Sequence, residues 1–348
     1  MGRAVGRRPL NRRPIGHLDE EDVRVRPGRG SRPRSRRRPA HEEAVGGWVV
    51  AVDRGRYRCV VADPAGEAPD AGTREVVAMR ARELGRRSVV VGDQVALVGD
   101  LSGDTGSLAR IVRVQPRRST LRRTPDDDDP VERVIVANAD QLVIVTAVAD
   151  PEPRPRLVDR CLAAAYDAGL VPVLCVTKTD LGDPADLLAG YAPLGVDHVT
   201  TRRGAPPDGL RERLRGRRSV LVGHSGVGKS TLVNALVPGA DRAVAAVNAA
   251  TGRGRHTSSS AVALALPGGG WVIDTPGIRS FGLGHLDPAR LVAAFPDLAA
   301  GTGDCPRGCT HDEPDCALDA WGAAGHAPAA RLDSFRRLLR SRDPHPGD

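Results

Sequence analysis

"GHSGVGKST", Gly223–Thr231, decides how the rest of this chain is read. It has the spacing G-x-x-x-x-G-K-[ST], follows the apolar run "RRSVLVG" and opens the helix-like run "KSTLVNALV". A strand, a glycine loop and a helix in that order form a phosphate cradle. The backbone N–H groups of Gly223, His224, Ser225, Gly226, Val227 and Gly228 can wrap a phosphate, and the helix adds its positive end. Lys229 is placed to reach the β- and γ-phosphates. Ser230, beside Thr231, offers a hydroxyl to Mg²⁺.

Upstream, "TKTD" (Thr177, Lys178, Thr179, Asp180) closes the apolar run "LVPVLCV". Ligands of open α/β sheets bind at such strand ends. An aspartate there can accept the two N–H groups on the N1/N2 edge of guanine, whereas adenine offers no matching pair. Lys178 and Lys229 are the only lysines among 51 Lys and Arg residues. A GC-rich coding bias explains the general scarcity but not these two exceptions. Arginine is a bulky planar fork and lysine a slim stem with a point charge, so a tight phosphate or base site keeps lysine. Downstream, "DTPG" (Asp274–Gly277) follows the run "WVI". Asp274 is placed to hold Mg²⁺ through water, and the Gly277 amide to sense a γ-phosphate. The base motif thus precedes the phosphate loop, a circular permutation of the usual order.

The 348 residues suggest about two or three domains, and 40% hydrophobic content is enough for packed cores. Residues 1–44 are rich in Arg, Pro and Gly, which predicts a disordered tail, either simply solvated or contacting RNA. Residues 45–115 hold short strand-like runs with Gly/Asp punctuation. Five such runs fit an OB-like barrel, with an SH3-like barrel or a sandwich as alternatives. Residues 116–130 have charge blocks of both signs and no strand or helix period, and read as a linker. Residues 131–284 alternate strands and helices, which predicts a mostly parallel sheet covered on both faces. The net charge of +8 favours an anionic partner, with nucleic acid first. No apolar run approaches the ~18 residues of a membrane span, and no secretory signal is evident, so a cytoplasmic protein with no membrane partner is expected.

Residues 285–348 contain "CPRGCTHDEPDC". Cys305, Cys309, His311 and Cys316 form a Cys₃His set suited to tetrahedral Zn²⁺, and a full set with no open position reads as structural. The helix-like "PAARLDSFRRLLRSR" that follows is expected to offer a basic face to rRNA.

Over residues 45–340 the chain resembles the ribosome small-subunit-dependent GTPase A (RsgA) family. The resemblance rests on the permuted order "TKTD … GHSGVGKST … GRGRHTS … DTPGIRSFG", on "ANADQLVIV", on the barrel-like segment and on the cysteine loop. It implies an OB-fold, a permuted GTPase domain and a zinc domain. It also implies GTP hydrolysis in late maturation of the small ribosomal subunit, with binding to its rRNA and release after subunit-stimulated hydrolysis. Thr257 would be the switch threonine on Mg²⁺, completing a set with Ser230 and Asp274. Ile278 stands where many GTPases place a water-orienting glutamine, so intrinsic hydrolysis should be slow. His256 is either the replacement or a loop histidine on RNA. The base loop, usually Ser-Ala, is here "VTTRRG", and the first and last gaps of the metal loop are each one residue shorter than usual. A monomer is expected. The competing readings are a P-loop ATPase, a non-enzymatic nucleotide-gated rRNA-binding protein, and a permuted GTPase of the large subunit.

Overall fold

The structure, a computed structural model, describes residues 41–53, 55–62, 73–85, 88–123, 133–240, 261–275, 283 and 286–342. Residues 1–40 of the expected tail 1–44 lie outside them, as do His256, Thr257, Gly277 and Ile278.

Strands β1 (Val45–Asp53), β2 (Arg56–Ala62), β3 (Thr73–Arg80), β4 (Gln94–Gly99) and β5 (Ala109–Val114) form the N-terminal barrel. In β2, exposed Arg56 and half-buried Arg58 alternate with buried Tyr57 and Cys59, the period of a half-buried strand. The order is β1-β2-β3-β5-β4, and β4 returns to pair with β1, which closes the barrel around Val49, Cys59, Val76, Leu97 and Ile111. The OB-like expectation therefore holds.

The expected linker is more structured than its composition suggested. Thr120–Arg123 is a strand, β6, antiparallel to β7 (Arg133–Ala137). Arg117 anchors the same segment to the barrel, with Nε and an η nitrogen donating to the two oxygens of fully buried Asp93 at 2.7 and 2.8 Å.

The central domain runs through β8 (Gln141–Ala147), α1 (Pro155–Asp167), β9 (Val171–Thr177), α2 (Ala185–Ala189), β10 (Asp197–Thr200), α3 (Asp208–Leu214), β11 (Arg218–Val222), α4 (Lys229–Leu236), β12 (Val262–Ala265) and β13 (Trp271–Asp274). Strands β10-β9-β8-β11-β13 lie parallel in that order, and β12 adds antiparallel to β13. Every residue of β8 is buried. Leu142 and Ile144 face the core that α1 supplies with Cys161 and Leu162, while Val143 and Val145 face the one that α3 and α4 supply with Leu210, Leu232 and Leu236. This is the two-sided cover expected of a parallel sheet. The short β10, α2 and α3 carry too few apolar residues to be read from sequence.

One joint was not foreseen. Ala51 of β1 pairs antiparallel with Val262 of β12, so barrel and central sheet are hydrogen-bonded into one continuous sheet. Trp48 and Trp271 meet edge to face there at 4.4 Å, with the Arg218 guanidinium 5.0 Å over the Trp48 ring.

Of the C-terminal helices α5 (Pro288–Ala293), α6 (Pro296–Ala299), α7 (Ala317–Ala323) and α8 (Ala329–Arg340), α5 and α8 pack on α1, α6 packs on α5 and α7 on α8. Tyr166, Phe295 and Phe335 stack edge to face in sequence, at 4.9 and 5.5 Å. Four arginines of the basic face expected on α8 are paired with carboxylates. Arg331 pairs with Asp297, Arg336 with Asp319, Arg337 with Asp159 of α1, and Arg340 with Asp312. Among the described residues no helix is long and apolar enough to cross a membrane.

Candidate functional site

Parallel strands deliver their carboxyl ends to one edge of the sheet, and there β9, β11 and β13 bring "TKTD", the glycine loop and Asp274 together. The loop after β11 has no room for side chains at its start: a Cβ on Gly223 would lie 2.4 Å from the Val145 carbonyl oxygen. It ends at Gly228, whose φ of +91° would strain any other residue as it caps α4. The Thr177 hydroxyl donates to the Val227 carbonyl at 2.6 Å and ties the base motif to the phosphate loop. The Thr275 hydroxyl ties the end of β13 to β11, donating to the Leu221 carbonyl at 2.9 Å. Lys229, in the first turn of α4, is ion-paired with Asp274. Ser225, Ser230 and Thr231 are exposed, and His224 and Val227 are buried. The His224 Nδ1 lies 2.9 Å from the Ser225 carbonyl, and burial pushes this imidazole down, keeping it neutral.

A cavity of about 440 Å³ opens between the two motifs, lined in part by Lys178, Asp180, Arg203, Gly228 and Thr231. Lys178 sits at φ +58° and its Nζ donates to the Asp150 carbonyl, so the stem is held across the cavity mouth. Thr179 is fastened through its N–H to the Thr201 carbonyl at 3.2 Å. One oxygen of Asp180 accepts the Arg203 N–H at 3.0 Å, and that bond, with the positive charges of Arg203 and Arg202, holds the carboxyl below the usual carboxylate range. The segment "TTRRG" therefore stands where the base loop was expected. Sequence reasoning missed Asp150 as a cavity residue and reached Arg202 and Arg203 only through the base-loop resemblance. The available signal was their position just past strand ends, but β10 was not recognised.

The second cluster lies in the C-terminal domain. Cys305 Sγ is 3.6 Å from His311 Nδ1 and 3.9 Å from Cys316 Sγ, and Cys316 Sγ is 3.9 Å from His311 Nδ1. With Cys309, these donor atoms all lie within 4.8 Å of one another. A tetrahedral ion at ~2.0–2.3 Å from each donor spaces them by just under 4 Å, so the set fits Zn²⁺. Burial pushes His311 down, favouring the neutral imidazole that ligates metals. Around the ligands, Glu313 accepts from the Thr310 N–H and hydroxyl, and these bonds hold its carboxyl at about 2.

Comparison with known proteins agrees with this geometry. A family model described as RsgA GTPase matches residues 114–284. A small ribosomal subunit biogenesis GTPase RsgA from Ectopseudomonas mendocina (strain ymp) is 42% identical over 264 residues, covering 73% of this chain and 75% of that one. Its namesake from Gemmatimonas aurantiaca is 36% identical over 263 residues, with 73% and 84% covered. The crystal structure of YjeQ from Thermotoga maritima superposes with a TM-score of 0.61 at 26% identity, over 86% of this chain and 98% of that one. The crystal structure of YloQ, a circularly permuted GTPase, gives the same TM-score of 0.61 at 22% identity, over 89% and 100%, and shows the shared fold. The likeness to these proteins runs along most of the chain's length, and the chain belongs to the RsgA GTPase family.

Proposed function

We propose that this protein hydrolyses GTP during biogenesis of the small ribosomal subunit, as a cytoplasmic monomer that docks on the subunit and leaves after hydrolysis. The observation that carries the proposal is the shared cavity. "TKTD" and the glycine loop are far apart in sequence, yet Thr177 and Val227 are hydrogen-bonded and Asp180 and Gly228 face one space. Asp180 reads guanine: it stays ionised, is oriented by the Arg203 N–H, and presents acceptors to the N1/N2 edge. Adenine offers no matching pair of N–H groups, so it forfeits the charge-assisted bonds that guanine makes to that carboxylate. This separates a GTPase from an ATPase.

Gly223 to Gly228 supply N–H groups to the β-phosphate, and Lys229 neutralises the β- and γ-oxygens. Ser230 and Asp274 are the described residues that would hold Mg²⁺, with Thr257 as third contributor. The fit rests on the Lys229–Asp274 pair, which brings a carboxylate to the first turn of α4, where Ser230 is the next residue. With nucleotide and cation bound, Lys229 would pair with phosphate and Asp274 would help hold the cation, in place of their present ion pair. Bound Mg²⁺ supplies charge stabilisation to the triphosphate. Gly277 and His256 are assigned to sensing the γ-phosphate and orienting water. Cys305, Cys309, His311 and Cys316 would hold one structural Zn²⁺ that shapes the C-terminal domain.

The test is turnover of GTP and ATP, alone and with purified small or large ribosomal subunits. GTP-selective turnover that rises with small subunits alone supports the reading. Turnover indifferent to both subunits, or favouring ATP, removes it.

A further inference from the structure

The loop from Cys309 to Cys316 must turn three ligands toward one point within a few residues, and it does so through an unusual backbone. His311 has a φ of +72°, the left-handed region that a non-glycine residue keeps only where its surroundings hold it there. What holds it is next to it in sequence. The Glu313 carboxylate accepts the Thr310 N–H at 3.0 and 3.1 Å, the Thr310 hydroxyl at 2.8 Å and the Asp312 N–H at 3.1 Å. These donors flank His311 on both sides, so one carboxylate closes the turn that presents the imidazole. The same carboxylate lies 3.4 Å from Cys309 Sγ, and the His311 N–H points at that sulfur from 3.3 Å. Behind the turn, Arg336 Nε donates to the His311 carbonyl at 3.0 Å, and Arg340 holds Asp312 through both oxygens.

We propose that Glu313 is the positioning residue of the metal centre, a carboxylate that sets the Cys309–Asp312 turn so that Cys309 and His311 face the ion before it arrives. It acts through the ligands and is not one of them, because its oxygens are already engaged by the turn's own donors. The dication, with Arg336 and Arg340 behind the loop, offsets the cost of a carboxylate beside a thiolate. A partner that orients a ligand typically contributes 10- to 100-fold in metal affinity. The proposal rests on the zinc reading of the four ligands.

The experiment is zinc affinity of the full chain, measured by competition with a chromophoric chelator. Glu313→Ala should bind zinc roughly 10- to 100-fold more weakly than the parent. Glu313→Gln keeps one acceptor oxygen for the turn and should fall between the two. Thr310→Val removes a single hydroxyl donor and should weaken binding by roughly twofold to tenfold. A parent chain that takes no zinc overturns the metal reading itself, and the proposal with it. A parent that binds zinc alongside a Glu313→Ala chain of equal affinity overturns the proposal alone. Should Glu313→Ala not fold, Thr310→Val decides, and a parent-like affinity there is the overturning result.

Discussion

Asp180 and Lys229 show how little chemistry separates recognition from indifference in this site. The Asp180 carboxylate is exposed, yet the Arg203 N–H and the nearby guanidinium charges keep it ionised, so under the proposed reading it would meet a purine as an acceptor only. Asp180→Asn turns half of that acceptor into a donor facing the guanine N–H groups. GTP affinity should fall by roughly 10- to 100-fold relative to ATP. Competition binding of the two nucleotides measures this, and an unchanged preference would refute the assignment. Lys229 makes the complementary case. Under the proposed reading its slim stem would let one ammonium exchange Asp274 for phosphate in a narrow loop, which a planar guanidinium could not copy. Lys229→Arg should therefore lose GTP turnover as fully as Lys229→Ala, and recovery in the arginine variant would count against the cradle geometry. Both motifs stood out in the sequence, because a chain so poor in lysine retains it in each.

Between elements, the contact of α1 with α8 has its own titration. Asp159 on α1 is buried, and burial pushes its carboxyl up to about 6 although Arg337 pulls the other way. The folded state thus holds the Asp159 proton more tightly than the unfolded chain, where the value is about 4. The resulting stability is fully present below about pH 4 and is lost as pH rises through about 6. Asp159→Asn cannot titrate, so relative to the parent it should gain about 2–3 kcal/mol between pH 4 and pH 7. Urea unfolding across that range tests it, and parallel curves would argue against the buried carboxylate. Such contacts were not legible in the sequence. Arg337 and Asp159 stand 178 positions apart, and nothing in the local pattern of α8 distinguishes an arginine bound for rRNA from one bound for an aspartate. The P-loop, "TKTD" and the cysteine loop were legible because their chemistry is local, set by spacing within a few residues. The strand β6 failed for the opposite reason: a short polar strand is defined by its partner β7 and not by its own period.

At the scale of the molecule, the pairing of Ala51 with Val262 makes the barrel an extension of the central sheet, not a module on a tether. Barrel strands and parallel strands were each foreseen, but edge-to-edge joining depends on which edges remain free after both parts fold, and no residue pattern states that. The Trp48–Trp271 contact seals the joint. Trp48→Ala should cost about 3–5 kcal/mol, read as a shift in the denaturation midpoint. A cost near zero would mean that the barrel folds without this seal. The chain has three tryptophans, two of them in this joint and the third, Trp321, in the C-terminal domain. The near-ultraviolet spectrum is therefore weighted toward one place. Two indoles 4.4 Å apart and nearly perpendicular couple their transitions, and the Arg218 cation beside one of them shifts its emission. Without any attached dye, the protein's own light absorption and emission form a gauge of whether barrel and GTPase domain move together through the nucleotide cycle.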